Sequence, residues 1–218
     1  MSSADKDLQL AEQVLTTALA MGAAGLNRGT AGNVSARTLS FADQFLITPT
    51  GMDYAELQHA DIVRMNLQGD WQGQRKPSSE WCFHRDIYQA RPEFGAIIHA
   101  HSPFATALAC MALEIPSFHY MIARFGGADV RCAPYALFGS QELSTAALAA
   151  LEKRSACLLA HHGMIVCGRD LQQALALAVE FETLCEQYWR VLQLGVPKLI
   201  SDSEMARVLE KFVSYGQQ

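Results

Sequence analysis

No run of apolar residues in this sequence reaches the length of a membrane-spanning helix. The opening stretch MSSADKDLQLAEQVL carries acids early and has no apolar segment before a cleavage site. No signal peptide is read there, and a cytoplasmic location is the expectation. Basic residues are few and scattered: 17 Lys and Arg stand against 22 Asp and Glu, for a formal net charge of −5. The basic stripe of a nucleic-acid surface is missing. The six cysteines, Cys82, Cys110, Cys132, Cys157, Cys167 and Cys185, form no CxxC pair. They read as reduced, buried, small side chains of a cytosolic protein, not as zinc ligands. There is no Walker loop, no dinucleotide fingerprint and no lysine in an apolar motif suited to a Schiff base. Linkers, repeats and low-complexity segments are also lacking, which leaves one domain over residues 1–218 as the simplest organisation.

What is present is an ordinary globular composition, 50% hydrophobic over 218 residues, enough to bury a core. Residues 5–22 read as an amphipathic helix with Leu8, Ala11, Leu15, Ala18 and Leu19 on one side. Strands are expected at 34–38, 44–48, 62–67, 95–99, 130–132, 157–160 and 164–167. Further helices are expected from Ser78 or Ser79 to Arg91, over 103–112, 140–151 and 171–194, and from a Ser201-Asp202-Ser203-Glu204 capping box to Val213. Short strands mixed with helices in this order predict a single three-layer α/β/α domain around a mainly antiparallel sheet.

The segment AIIHAHSPF, residues 96–104, carries the strongest chemical signal. His99 and His101 alternate at the end of an apolar strand, so both imidazoles point to one face. Glu80 lies upstream in KPSSEWCFH, and LLAHHGMIV supplies another histidine, His161 or His162. Spacing does not separate those two. Three imidazoles and one carboxylate suit a divalent metal such as zinc. His84, one helical turn after Glu80, shares that face but reads as a packing residue.

Glu80 in a first helical turn meets the helix dipole favourably, which is a sufficient structural role. Yet Pro77-Ser78-Ser79 before it looks like an anion cradle of hydroxyls and free N–H groups. A carboxylate beside an anion site makes sense if a cation sits between them. GTAGNVS and TPTG are further loops of small residues that let N–H groups approach a phosphate.

In order, GLNRGTAGNVSAR, FLITPTGMDY, KPSSEWCFHRDIYQARP, IIHAHSPFATALAC, IPSFHYMIARFGG, RCAPYALFG, LLAHHGMIVCG and EKFVSYG resemble the zinc-dependent class II aldolase/adducin family over nearly the whole chain. The resemblance implies a metal shell of Glu80, His99, His101 and His162, holding Zn2+, with Mn2+ or Co2+ also suited. It implies a phosphate cradle of Gly32, Asn33, Thr50, Gly51, Ser78 and Ser79. Tyr120 is implied to act from a neighbouring subunit as proton donor and acceptor, with Phe138 and Tyr215 closing over the aldehyde end. A C4 homotetramer with shared sites follows from the same resemblance.

The implied reaction is retro-aldol cleavage of a ketose 1-phosphate such as L-fuculose 1-phosphate. Its products are dihydroxyacetone phosphate and a short aldehyde, L-lactaldehyde by default. Breaking C3–C4 leaves an electron pair on C3, which a Lewis-acidic ion at the C2 and C3 oxygens can accommodate. Alternatives on the same scaffold are a sugar-phosphate 4-epimerase, a dehydratase, a decarboxylase or a non-catalytic adducin-like module. The family typically has Asn where this chain has Ala100, and small residues where it has Arg124 and Phe125. By sequence these departures lie near the site and bear on substrate identity.

Overall fold

The structure, a computed structural model, describes residues 3–38 and 40–214. Eight strands form one sheet in the order β4-β3-β2-β1-β5-β8-β7-β6. They are β1 Asn33–Arg37, β2 Gln44–Ile47, β3 Val63–Asn66, β4 Trp71–Gln72, β5 Ala96–Ala100, β6 Cys132–Ala133, β7 Ala156–Leu159 and β8 Gly163–Gly168. Every pairing is antiparallel except β6 with β7. The six helices are α1 Ser3–Ala23, α2 Trp81–Ala90, α3 Pro103–Cys110, α4 Gln141–Ala150, α5 Leu171–Leu194 and α6 Asp202–Ser214.

The period of two along the central strands divides the core into two layers. Ala96, Ile98, Ala100, Met164 and Val166 pack with the buried faces of α1, α3 and α5. Ile97, Ile165 and Cys167 pack on the other side with Phe83, Ile87, Leu143 and Ala147 of α2 and α4. This is the expected three-layer α/β/α domain with a mainly antiparallel sheet. Among the described residues, no helix is long and apolar enough to cross a membrane.

Several expectations need correction. On α1 the buried stripe is Ala11, Val14, Ala18 and Met21, while Leu8 and Leu19 are exposed. The contact face is rotated by about one residue from the one predicted. Helix α2 starts at Trp81, not at Ser78 or Ser79. The Ser78 N–H is held by Thr48 O at 3.0 Å and Pro77 bridges Pro49, so the segment before Trp81 is pinned to the end of β2 as a turn. Strand β6 begins two residues later than expected, because Val130 bridges Ile115 instead. The two-residue β4 and a 3-10 helix over Tyr120–Phe125 carry too little periodicity to have been foreseen. Of the cysteines, Cys157, Cys167 and Cys185 are buried, Cys82 and Cys132 are half-buried, and Cys110 is exposed; all six are free thiols. At α6, half of the capping box forms, with Ser201 Oγ accepting from Glu204 N at 3.3 Å.

Candidate metal centre

Strand β5 sits between β1 and β8, with His99 opposite Asn33 on one side and Ile165 on the other. His99 is fully buried, and its Nδ1 donates to Met164 O at 2.9 Å. A carbonyl only accepts, so the ring proton is on Nδ1 and the Nε2 lone pair faces inward. That Nε2 lies 3.0 Å from His101 Nε2 and 3.1 Å from Glu80 Oε2. The fourth group arrives on the turn between β7 and β8. His161 takes a left-handed conformation there, φ 56°, and its N–H bonds Ala109 O. The turn sends His162 inward, its Nε2 3.2 Å from Glu80 Oε1. His161 is exposed beside the Tyr135 ring. Of the two, His162 joins the cluster and His161 does not.

Donor atoms of Glu80, His99, His101 and His162 all lie within 4.8 Å of one another. The backbone is built tightly around them. A Cβ on Gly163 would sit 2.5 Å from Ala100 O and 3.0 Å from His101 Cδ2. One on Gly32, at φ +81°, would sit 2.7 Å from His99 O. Both positions accept only glycine without displacing a histidine strand.

The donor set fits a divalent cation. The Nε2 atoms of His99 and His101 face each other at 3.0 Å, and buried Glu80 Oε1 has no hydrogen-bond partner. A positive ion among them would turn repulsion into coordination. Burial pushes the Glu80 carboxyl up, but the imidazoles of His99 and His162 outweigh it and hold the group well below the usual carboxylate range. Burial and the neighbouring imidazoles of His99 and His162 depress His101 to about 4, which keeps its lone pair available at neutral pH.

A cavity of about 320 Å³ joins this cluster to the three small-residue loops. Gly32, Asn33, Thr50, Gly51, Ser78, Ser79, Glu80, His101, Phe138 and His162 all line it. The expectation of free N–H groups at the Ser78 turn is corrected in part. Besides the Ser78 N–H, that of Glu80 bonds Ser78 Oγ and that of Trp81 bonds Ser78 O. The Thr50 N–H bonds Lys76 O, so the TPTG and PSSE loops are tied together.

Other expected residues fall elsewhere. Tyr120 is 50% exposed on the 3-10 helix, stacked on Phe212, and lines a separate cavity with Met121, Val208 and Lys211. Tyr215 lies outside the described residues. Ala100 points into the opposite core layer, Phe125 is buried against Phe181, and Arg124 pairs with Glu180 at 3.5 Å. None of these three lines the cavity with Glu80.

Two arrangements were not foreseen. Glu182 of α5 accepts from Ser102 Oγ, Phe104 N and Ala105 N at 2.6, 2.8 and 2.9 Å, fixing the start of α3 directly after His101. Beneath Glu80, Asn33 Nδ2 donates to Ser78 Oγ at 3.0 Å and to Glu80 Oε2 at 3.1 Å. Its Oδ1 meets His84 Nε2. His84 therefore packs, as expected, but inside a polar network.

A sequence profile described as the class II aldolase and adducin N-terminal domain matches residues 12–189. The 5-methylthioribulose-1-phosphate/5-deoxyribulose-1-phosphate aldolase of Rhodospirillum rubrum is 57% identical over 192 residues, 88% of this chain and 86% of the relative. The L-fuculose phosphate aldolase of Escherichia coli K12 is 46% identical over 209 residues, 95% and 96% of the two chains. A solved L-fuculose 1-phosphate aldolase superposes with a TM-score of 0.90 at 38% identity, over 94% of this chain and 96% of that one. The chain belongs to the class II aldolase/adducin family and is a class II aldolase.

Proposed function

We propose that this aldolase cleaves a ketose 1-phosphate between C3 and C4, releasing dihydroxyacetone phosphate and a short aldehyde with an apolar tail. The observation that carries the reading is the single cavity in which a three-histidine, one-carboxylate cluster faces the Asn33, Thr50 and Ser78-Ser79 loops. One end suits the oxygens of the reacting carbons. The other suits a phosphate, where each hydrogen bond to the charged group contributes roughly 1.5–3 kcal/mol.

Glu80, His99, His101 and His162 would hold the ion, with zinc the best match to this donor set and manganese or cobalt compatible with it. Bound there, it would supply the Lewis acidity that the cleavage needs. Glu80, protonated from solvent once bound substrate has released its carboxyl, returns that proton to C3 in cleavage and takes it in the reverse direction. Substrate oxygens entering the cluster separate it from the imidazoles that hold its carboxyl low. Tyr120 relays the C4 hydroxyl proton to solvent as the aldehyde forms. It is half-exposed and absent from the lining of the Glu80 cavity in its own chain, which supports the role the resemblance implies for it, at the cavity of a neighbouring copy in a homotetramer. Tyr135 and Phe138, each more than 60% exposed, line the cavity and present an apolar rim to the aldehyde end.

That rim favours substrates ending in a methyl or methylthio group, 5-deoxyribulose 1-phosphate or 5-methylthioribulose 1-phosphate. L-Fuculose 1-phosphate, with one more hydroxyl before its methyl, is the second reading. The test is a panel of these three with zinc-loaded protein, following dihydroxyacetone phosphate by its enzymatic reduction. The two 5-substituted ribuloses should give the higher kcat/KM. Epimerisation or dehydration of all three without dihydroxyacetone phosphate would sink the reading.

A further inference from the structure

Four buried groups form an unbroken path to Glu80. Tyr88 OH lies 2.8 Å from Ser35 Oγ, which lies 2.7 Å from His84 Nδ1. His84 Nε2 meets Asn33 Oδ1, and Asn33 Nδ2 reaches Ser78 Oγ and Glu80 Oε2. Ser35 and His84 are wholly buried, and Asn33 and Tyr88 are 1% exposed. Water is thus excluded from the choice of proton positions.

The direction of each bond can be fixed from the carboxylate end. Glu80 is ionised and only accepts, so Asn33 must turn its NH2 towards it. The Asn33 carbonyl oxygen then points at His84 and also only accepts. His84 must therefore carry its proton on Nε2, leaving Nδ1 to accept from the Ser35 hydroxyl. Ser35 Oγ in turn accepts from Tyr88 OH. Burial and the nearby His99 depress His84 to about 3, so the ring stays neutral at working pH.

We propose that His84 is a positioning residue, whose Nε2–H locks the Asn33 amide so that one NH2 group aligns both the Glu80 carboxylate and the Ser78 hydroxyl. This couples the proton-transfer end of the cavity to its phosphate end. The inference rests on the reading of the cavity as a ketose 1-phosphate site, but its first readout needs no substrate.

Long-range 1H–15N spectra of the zinc-loaded protein should show His84 neutral, protonated on Nε2, and unchanged between pH 8 and 6. A proton on Nδ1 would turn the Asn33 carbonyl towards Glu80 and overturn the proposal. Variants then separate positioning from packing. His84→Gln keeps an N–H near the Nε2 position, and should retain kcat, KM and zinc affinity within about threefold. His84→Leu fills the space without a donor, and should weaken zinc binding or lower kcat by about 10- to 100-fold, the usual cost of losing such a support. Equal losses in the two variants, both shown folded by circular dichroism, would mean that His84 only packs. If His84→Leu fails to fold, the spectra and His84→Gln still decide. Absence of turnover in the unmodified enzyme would refute the proposed function and leave the tautomer and zinc measurements standing.

Discussion

The Glu80 cluster and the Tyr120 segment are built in opposite ways. Glu80 and His99 are buried, the cluster's donor groups come from a central strand and its end, a hairpin turn and the N-cap of α2, and hydrogen bonds behind His99 and Glu80 fix their directions. Tyr120 stands half-exposed on a 3-10 helix packed against α6, with an aromatic stack as its main neighbour. Groups that must converge to within a few ångströms are set by the sheet, where a shift would disturb the core. A group proposed to complete the site of a neighbouring copy can sit on the surface, because its position would be fixed only on assembly.

Removing a cluster histidine should break the comparison most severely. His99→Ala should strip the ion and cut cleavage by about a thousandfold or more, since a Lewis acid contributes several kcal/mol. Metal content and dihydroxyacetone phosphate release check this together; a full complement of metal in the variant would remove His99 from the ligand set. Tyr120→Phe should slow cleavage by roughly 10²–10⁴-fold. Metal content should hold, and stability should move by no more than about 0.5 kcal/mol, as expected of a surface change. Mixing Tyr120→Phe with Glu80→Gln protein should restore activity if intact groups meet across copies. Hetero-oligomers that form without any recovery would assign Tyr120 to its own chain.

The smallest effect sharpens the comparison through pH. His84 has a folded value near 3 against 6.5 when unperturbed, so protonation favours the unfolded chain. Stability from this group is complete above pH 6.5 and falls as pH drops towards 3, by up to about 1.4 kcal/mol per unit. Glu80, also depressed, loses its contribution only below the usual carboxylate range. Urea unfolding of the metal-free protein should therefore show a loss of about 2 kcal/mol between pH 6.5 and 5. The slope should be shallower in His84→Gln, with the remainder from solvent-facing His101. Equal slopes would remove His84 as the source.

The pair of His99 in β5 and His101 just past its end was legible because a strand repeats every two residues. The sheet and its flanking helices were legible for the same reason of period. What escaped depended on contacts distant in sequence or on single backbone angles. The resemblance named His162, but spacing could not separate it from His161, because the difference rests on one φ of 56° in the turn. The true start of α2 depends on a bond from Ser78 to Thr48, thirty residues upstream in the chain. Ala100 looked close to the site because it lies between two of its histidines. The pleat sends its side chain into the other core layer.

The register of β5 has one more consequence. A slip by one residue against β1 and β8 would leave a sheet with the same number of strands, but would carry His99 to the α5 layer and bring Ala100 or Ile98 to face Glu80. The four donors would no longer meet. An ion that binds them therefore stabilises one alignment of the central strand and ignores its near neighbours, by an amount that grows with the logarithm of ion concentration. Besides serving chemistry, the cation would act as a proofreader of strand alignment in the centre of the sheet.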